Sequence, residues 1–496
     1  MSPRQVVVAG YGMAGARLAE EVRRREPDPG QLALTVLGAE SEPAYNRVLL
    51  SGVLAGRLPG VGVHLQEPDW AQRSGVDLRL GVAATGLDRA RREVTLADGS
   101  AVRYDALVLA TGARPWLPPT PGLCGPDGAP APGVRCFRTV EDCAQIVEAA
   151  RPGAPVAVLG GGLLGLEAAR GLAGRGSLVT VVHPVAHLME RQLDPVAGAI
   201  LAGVLAELGI EFRLGVTATA YRPGDGLSLS DGRHVPADLV VVAAGALPDT
   251  ALAEAAGLAC DRGVLVDDAL RTDDPRVHAI GDCARHPGTL GGFVQPAWEQ
   301  AAVLADLLTG ANPAARYRGT PAVTRLKVRE VDLAALGEAH LERDDPGVEV
   351  LRLEDSARGR YCKLVLRGDR VAGAILLGTP DAAARITQLY DRGDPVPTDR
   401  LALLLGRALP EDAPAAAHSA DLPPTAVVCR CNTVTKQTLV RAWQDGARDV
   451  PALAGATRAT TGCGGCTEQV RDLAARLAEA AEAAAQDPHA VAAQRL

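Results

Sequence analysis

Gln5-Val-Val-Val-Ala-Gly10-Tyr-Gly12-Met-Ala-Gly15 opens the chain with an apolar run, a turn of glycines and the first residues of an Ala-rich stretch. Read as strand, turn and helix, it decides the fold. In a Gly-x-Gly-x-x-Gly turn the first glycine permits the tight bend. The second lets a pyrophosphate approach the backbone, and the third allows helix to pack closely on strand, so that the phosphates meet the helix N-terminus. One such match is weak evidence. A second copy, Val156-Ala-Val-Leu-Gly160-Gly-Gly162-Leu-Leu-Gly165, stands in the same context.

Working outward, short β-branched runs alternate with Ala/Leu-rich helical stretches over the first 310 or so residues, the pattern of a parallel α/β sheet. We therefore expect an α/β fold with two Rossmann-like dinucleotide-binding units, the second inserted within the first. Residues 1–120 with 245–315 would form one, and residues 121–244 the other. The Pro/Gly-rich stretch at 120–135 reads as a connecting loop. Alternating patterns at Val348 to Leu353, Tyr361 to Leu366 and Arg370 to Leu377 place a small antiparallel α+β domain at 316–408. An Ala/Pro-rich linker at 409–425, a helical cysteine module at 426–480 and an Ala-rich, fraying tail at 481–496 follow.

The 496 residues are 47% hydrophobic and 22% charged, as expected of a globular protein of three or four domains. The net charge of -8 argues against a nucleic-acid partner, which needs a basic face. Apolar runs such as Leu239 to Leu247 are half the roughly 18 residues of a membrane span. The first strand begins so early that no cleavable leader is expected. The expected compartment is the cytoplasm, where structural disulfides are rare. The ten cysteines then read as thiols or metal ligands, and the six scattered ones (Cys124, Cys136, Cys143, Cys260, Cys283, Cys362) as buried small residues.

Two later segments support FAD at the first glycine turn. Tyr104-Asp-Ala-Leu-Val-Leu-Ala-Thr111-Gly112 is a buried strand ending in Ala-Thr-Gly. Thr272-x5-His278-Ala-Ile-Gly-Asp282 is a strand that delivers a carboxylate able to accept from a ribitol hydroxyl; otherwise Asp282 is a turn or cap residue. The acid expected after the second strand is replaced by Gly38, which leaves Glu40 as candidate for the adenosine ribose, or as an exposed loop acid. At the second turn a nicotinamide dinucleotide is expected on Gly160, Gly162 and Gly165. The strand Leu178 to Val182 ends at His183, where an acid would favour NADH and a nearby Arg NADPH. His183 is neither. The choice stays open with a lean to NADH, and a solvent-facing His183 without a role is the alternative. Glu167 reads as a first-turn acid, either a partner of the helix dipole or pointed at the nicotinamide amide.

Cys429-Arg-Cys431 and Cys463-Gly-Gly-Cys466 stand 31 residues apart. Four thiolates can hold Zn2+ or an iron–sulfur cluster. The C-x-C pair departs from the usual zinc spacing, so a [2Fe-2S] cluster is preferred over zinc or disulfides. A flavin in the same chain strengthens this preference, because a flavin takes a hydride and a cluster passes electrons singly.

Pro43-Ala-Tyr-Asn-Arg47-Val-Leu-Leu-Ser51 and His187-Leu-Met-Glu-Arg-Gln-Leu-Asp194, with the two glycine turns, carry a family resemblance. The first 400 or so residues resemble the flavoprotein part of the NAD(P)H-dependent assimilatory nitrite reductase large subunit. This resemblance implies that Arg47 and Ser51 lie along FAD and that Gln295-Pro-Ala-Trp-Glu299-Gln covers the flavin ring. The region 318–405 resembles the small C-terminal domain of such reductases. The cysteine module resembles the bacterioferritin-associated-ferredoxin type, implying that Cys429, Cys431, Cys463 and Cys466 are all cluster ligands. Gly52 stands where ferredoxin reductases of this fold carry a Lys, and no Cys precedes Cys124, so the C-x4-C pair of disulfide reductases is missing. No further cysteine set for a sirohaem domain is present, so nitrite reduction is not expected. What remains resembles the electron-transfer subunit of assimilatory nitrate reductase, serving a separate molybdenum protein. Delivery to a nitrite reductase, a ferredoxin or an oxygenase, and a redox- or iron-sensing role, are the alternatives. No catalytic side chain is expected, since the cofactors carry the chemistry.

Overall fold

The computed structural model describes residues 3–287, 291–321, 323–406, 422–429, 432, 434–460 and 466–486. They form two compact units, Met1–Pro184 with Val216–Ala322 and Val185–Gly215 with Val323–Leu496.

In the first unit, five parallel strands lie in the order Val277–Ala279, Ala106–Leu109, Arg4–Ala9, Leu32–Gly38 and Val76–Leu80. Val6, Val7, Val8 and Ala9 are buried, as are Ala106 to Leu109. A strand buried on both faces needs such a continuous apolar run rather than an alternating one. From Arg4–Ala9 the chain moves to one side, to Leu32–Gly38, and later to the other, at Ala106–Leu109. The strand order therefore reverses at the carboxyl end of Arg4–Ala9, where Gly10 begins. Open α/β sheets bind ligands in this crevice.

The pattern recurs. Leu178–His183, Pro155–Leu159, Leu239–Val242 and Val134–Cys136 run parallel in that order, and Gly160 leaves at the reversal point. A short antiparallel ribbon, Ala113–Pro115 against Ala246–Pro248, marks where the chain leaves the first sheet and where it returns. Strand Val277–Ala279 then completes the first sheet.

The second unit holds a five-stranded antiparallel sheet in the order Val323–Arg325, Leu333–Gly337, Arg370–Leu377, Arg360–Arg367 and Glu349–Asp355. Helix Pro380–Arg392 covers it through Ala382, Ala383 and Ile386. Residues 185–215, expected within the second nucleotide fold, group with this sheet. Their helix, Pro195–Glu207, packs on strands Arg360–Arg367 and Arg370–Leu377. Asp194 caps the helix by accepting the Ala197 N–H at 2.9 Å, and its other oxygen accepts from the Tyr361 hydroxyl at 2.6 Å. Lys363, wholly buried, lies 2.9 Å from Glu342 and 3.8 Å from Asp194.

The cysteine module consists of strands Val427–Cys429 and Val434–Thr435 and helices Lys436–Gln444, Val450–Thr457 and Thr467–Gln486. Leu439, Trp443, Leu453, Val470 and Leu473 form its core. The helices expected at Thr435 to Gly446 and from Val450 are present, capped by Thr435 and Asp449. Most of the expected linker and the last ten residues of the tail lie outside the described residues. No helix among the described residues is long and apolar enough to cross a membrane.

Candidate functional site

The two glycine turns have the same construction. Gly10 and Gly160 have φ of 121° and 120°, which side-chain-bearing residues rarely adopt. A Cβ on Gly10 would sit 2.1 Å from the Ala110 carbonyl oxygen, and one on Gly160 would sit 2.4 Å from that of Ala243. On Gly15 and Gly165 a Cβ would lie 1.9 and 2.0 Å from the carbonyl oxygens of Gly10 and Gly160. The outer glycines thus seal backbone against backbone. Gly12 and Gly162 differ, for a Cβ there meets nothing within 4 Å. Each turn therefore keeps open space beside its middle glycine, at the N-cap of a helix that has no side chain to cap it. That cradle fits a pyrophosphate at both turns.

Around the first turn, Thr111 donates from its hydroxyl to the Asp249 carbonyl at 2.7 Å, and Gly112 takes a left-handed φ of 76°. Asp282 lies in the 3-10 turn Gly281–Cys283, directly after strand Val277–Ala279. One of its oxygens accepts from Arg138 Nη2 at 2.9 Å and the other from the Gly292 N–H at 3.2 Å. The same Arg138 donates from Nε to the Ala113 carbonyl at 2.8 Å, and its own carbonyl accepts from Arg47 at 3.0 Å. Arg47 also pairs with Glu40, whose second oxygen accepts from the Tyr45 hydroxyl at 2.7 Å. Glu40 is thus an ion-pair partner within its loop, with its side chain still 41% exposed. Burial, aided by the hydrogen bond to Glu40 and against the pull of Arg47, holds the Tyr45 phenol well above its ordinary value. Ser51 is buried in helix Leu50–Leu54.

Glu299 sits on helix Val294–Thr309 and accepts from Gln295 at 2.9 Å and from the Thr320 hydroxyl at 2.6 Å. Its neighbour Gln300, buried, accepts the Gly281 N–H at 2.8 Å and so locks this helix to the Asp282 turn. Trp298 packs against Met13 and Ala297, and its buried Nε1 has no hydrogen-bond partner. A buried donor left unpaired is costly, so it marks a place where a bound group can supply the acceptor. Arg138 escaped the sequence reading, and Gln300 entered it only as the last residue of the stretch from Gln295, without its bond to Gly281. Thr139 and Asp142 form a legible capping box after Arg138, but nothing local announces its distant partners.

At the second turn one expectation is corrected and one alternative is excluded. Helix Leu163–Gly174 begins at Leu163, so Glu167 is its fifth residue, in the second turn, and is 3% exposed. It is not a first-turn dipole partner. His183 is 4% exposed, and its Nδ1 accepts the Gly161 N–H at 3.1 Å. It faces the glycine turn and not solvent, because the strand end brings the imidazole over the neighbouring loop.

Of the cysteine set, Cys429 and Cys466 are buried in one apolar core. Cys431 and Cys463, with Gly462, Gly464 and Gly465, lie outside the described residues. Among the described residues no group of three metal-ligating side chains occurs. The two visible thiols fit one half of a four-thiolate donor set. Of the six scattered cysteines, Cys136, Cys143, Cys283 and Cys362 are buried as expected, whereas Cys124 and Cys260 are half-buried. Burial pushes the Cys143 thiol up to about 12 and that of Cys136 to about 11, so both stay protonated at neutral pH.

Comparison with known proteins places these features. Residues 427–476 match the BFD-like [2Fe-2S] binding domain, and residues 322–393 the rubredoxin NAD+ reductase C-terminal domain. The chain is 35% identical over 480 residues to a nitrite reductase [NAD(P)H] of Bacillus subtilis (strain 168), covering 95% of this chain and 58% of that protein. It is 34% identical over 478 residues to the assimilatory nitrate reductase electron transfer subunit of the same organism, covering 95% and 60%. The chain thus spans about three-fifths of the length of these relatives. Among solved structures, the covalent putidaredoxin reductase–putidaredoxin complex superposes with a TM-score of 0.71 at 28% identity, covering 81% of this chain and 96% of that one. The model of the pyridine nucleotide-disulphide oxidoreductases matches residues 4–303, most of the first unit and more than half of the sequence, and the chain belongs to that family.

Proposed function

We propose that the chain is an NAD(P)H-dependent FAD oxidoreductase that passes electrons through a [2Fe-2S] cluster to a partner enzyme, a molybdenum-containing assimilatory nitrate reductase in the cytoplasm. The observation that carries this reading is the pair of matched glycine turns, each at a strand-order reversal and each with an open cradle beside its middle glycine. The cysteine module in the same chain supplies the one-electron outlet.

Bound FAD supplies a hydride acceptor and the cluster a one-electron carrier. The protein's part is placement. Gly10, Gly12 and Gly15 receive the FAD pyrophosphate, with Thr111 and Gly112 beside them. Asp282, oriented by Arg138, meets the ribitol hydroxyls. Glu40, Arg47 and Ser51 line the adenosine and flavin path, and Glu299 sets the helix over the ring. Gly160, Gly162 and Gly165 would receive NAD(P)H, with His183 holding the turn and Glu167 directed at the nicotinamide amide. Cys429, Cys431, Cys463 and Cys466 hold the iron. Residues 1–120 with 245–315 would be the FAD domain, 121–244 the NAD(P)H domain and 426–480 the cluster domain. The likeness to a reductase captured with putidaredoxin favours a second reading, delivery to a separate ferredoxin. The cluster module within this chain favours the first.

Anaerobic titration of the purified chain with NADH tests the proposal. The flavin band should bleach, and Cys463→Ala should keep dye reduction while losing transfer to nitrate reductase. A chain whose flavin does not bleach with NADH or NADPH defeats it.

A further inference from the structure

We infer that Asn432 is a positioning residue for the cluster, tying the first cysteine pair to the segment that carries the second and tuning the cluster through the Cys429 sulfur. The inference rests on the cluster reading above.

Asn432 follows Cys431 directly. Its Nδ2 donates to the Arg458 carbonyl at 2.6 Å and to Cys429 Sγ at 3.8 Å. A side-chain amide nitrogen carries two hydrogens, so it can serve both acceptors at once. Arg458 ends helix Val450–Thr457 in a left-handed conformation, with φ of 64°, and Thr460 repeats it at 68°. Two non-glycine residues in that region within three positions are strained, and such strain persists only where surrounding contacts over-determine it. The Arg458 turn presents its carbonyl to Asn432, and the chain reaches Cys463 three residues after Thr460. One side chain thus joins Cys429, at the end of strand Val427–Cys429, to the turn that closes helix Val450–Thr457. Hydrogen bonds to ligand sulfurs help set cluster potentials, and an N–H donor favours the more negative, reduced form.

The test uses the full chain and Asn432→Ala, with iron content and the midpoint potential of the cluster followed by EPR in a mediated titration. The expected result is retained iron and a potential moved to more negative values. Retained iron at the wild-type potential overturns the inference. Should Asn432→Ala bind no iron, the neutral and similarly sized Asn432→Leu decides. Retained iron with a more negative potential supports the role, while an unmoved potential, or loss of iron from both variants, overturns it. A wild-type chain without iron would instead defeat the underlying reading of the cysteine module.

Discussion

Arg138 and Asp282 form a 2.9 Å ion pair across 144 residues of chain. Arg138 follows strand Val134–Cys136 of the second parallel set, and Asp282 follows strand Val277–Ala279 of the first. The pair pins the carboxylate proposed to meet the ribitol. Arg138→Gln should therefore weaken FAD retention without unfolding the chain. A charge-assisted hydrogen bond is worth about 1.5–3 kcal/mol, or roughly 10- to 100-fold in FAD dissociation constant. Flavin release measured by fluorescence checks this; unchanged affinity would show that Asp282 needs no such partner.

The glycine turns predict opposite outcomes for neighbouring positions. Gly10→Ala drives a Cβ into the Ala110 carbonyl at 2.1 Å and should destabilise the fold severely. Gly12→Ala meets nothing within 4 Å and has an ordinary φ of -79°, so it should fold normally yet bind little FAD. Gly162→Ala should do the same to the nicotinamide site, raising KM for NAD(P)H with FAD in place. Circular dichroism, flavin content and steady-state kinetics separate the three.

Burial holds the His278 imidazole down to about 4, against an ordinary 6.5. The folded protein keeps His278 neutral where the unfolded chain would bind a proton. Its stabilisation is therefore complete above about pH 6.5 and is lost as pH falls towards 4. The gap corresponds to about 3 kcal/mol. Urea midpoints should fall across that window, and His278→Gln should flatten the slope. A wild-type midpoint independent of pH from 6.5 to 4 would contradict it.

Lys363 is buried between Asp194 and Glu342. Lys363→Met leaves the buried Asp194 without its cation and should cost about 3 kcal/mol of stability. Adding Asp194→Asn should recover part of that loss, since the two sites are coupled. Urea denaturation of the single and double variants measures the coupling; strictly additive losses would rule it out.

Features carried by local patterns were legible in the sequence. The glycine spacing at Gly10 to Gly15 and Gly160 to Gly165, the apolar strands before them and the alternation in Tyr361 to Leu366 are set by neighbours a few residues apart. The direction of a side chain was not legible. Glu167 was placed on the right helix but one turn too early, and the burial of His183 against the Gly161 N–H was not foreseen. The helix start and the packing of strand ends decide those, and both depend on residues far along the chain. The partners of Arg138, Gln300 and Asn432 were invisible for the same reason. Each residue does its work through a partner that only folding brings near.

By itself the sequence determined two nucleotide-binding turns, an antiparallel domain and a four-cysteine module, because each is a short-range pattern of chain geometry and hydrophobic period. The tertiary structure alone decided which carboxylate is held by which guanidinium, which way His183 faces and where residues 185–215 pack. Those outcomes are set by contacts between segments far apart in sequence, and no local rule encodes them.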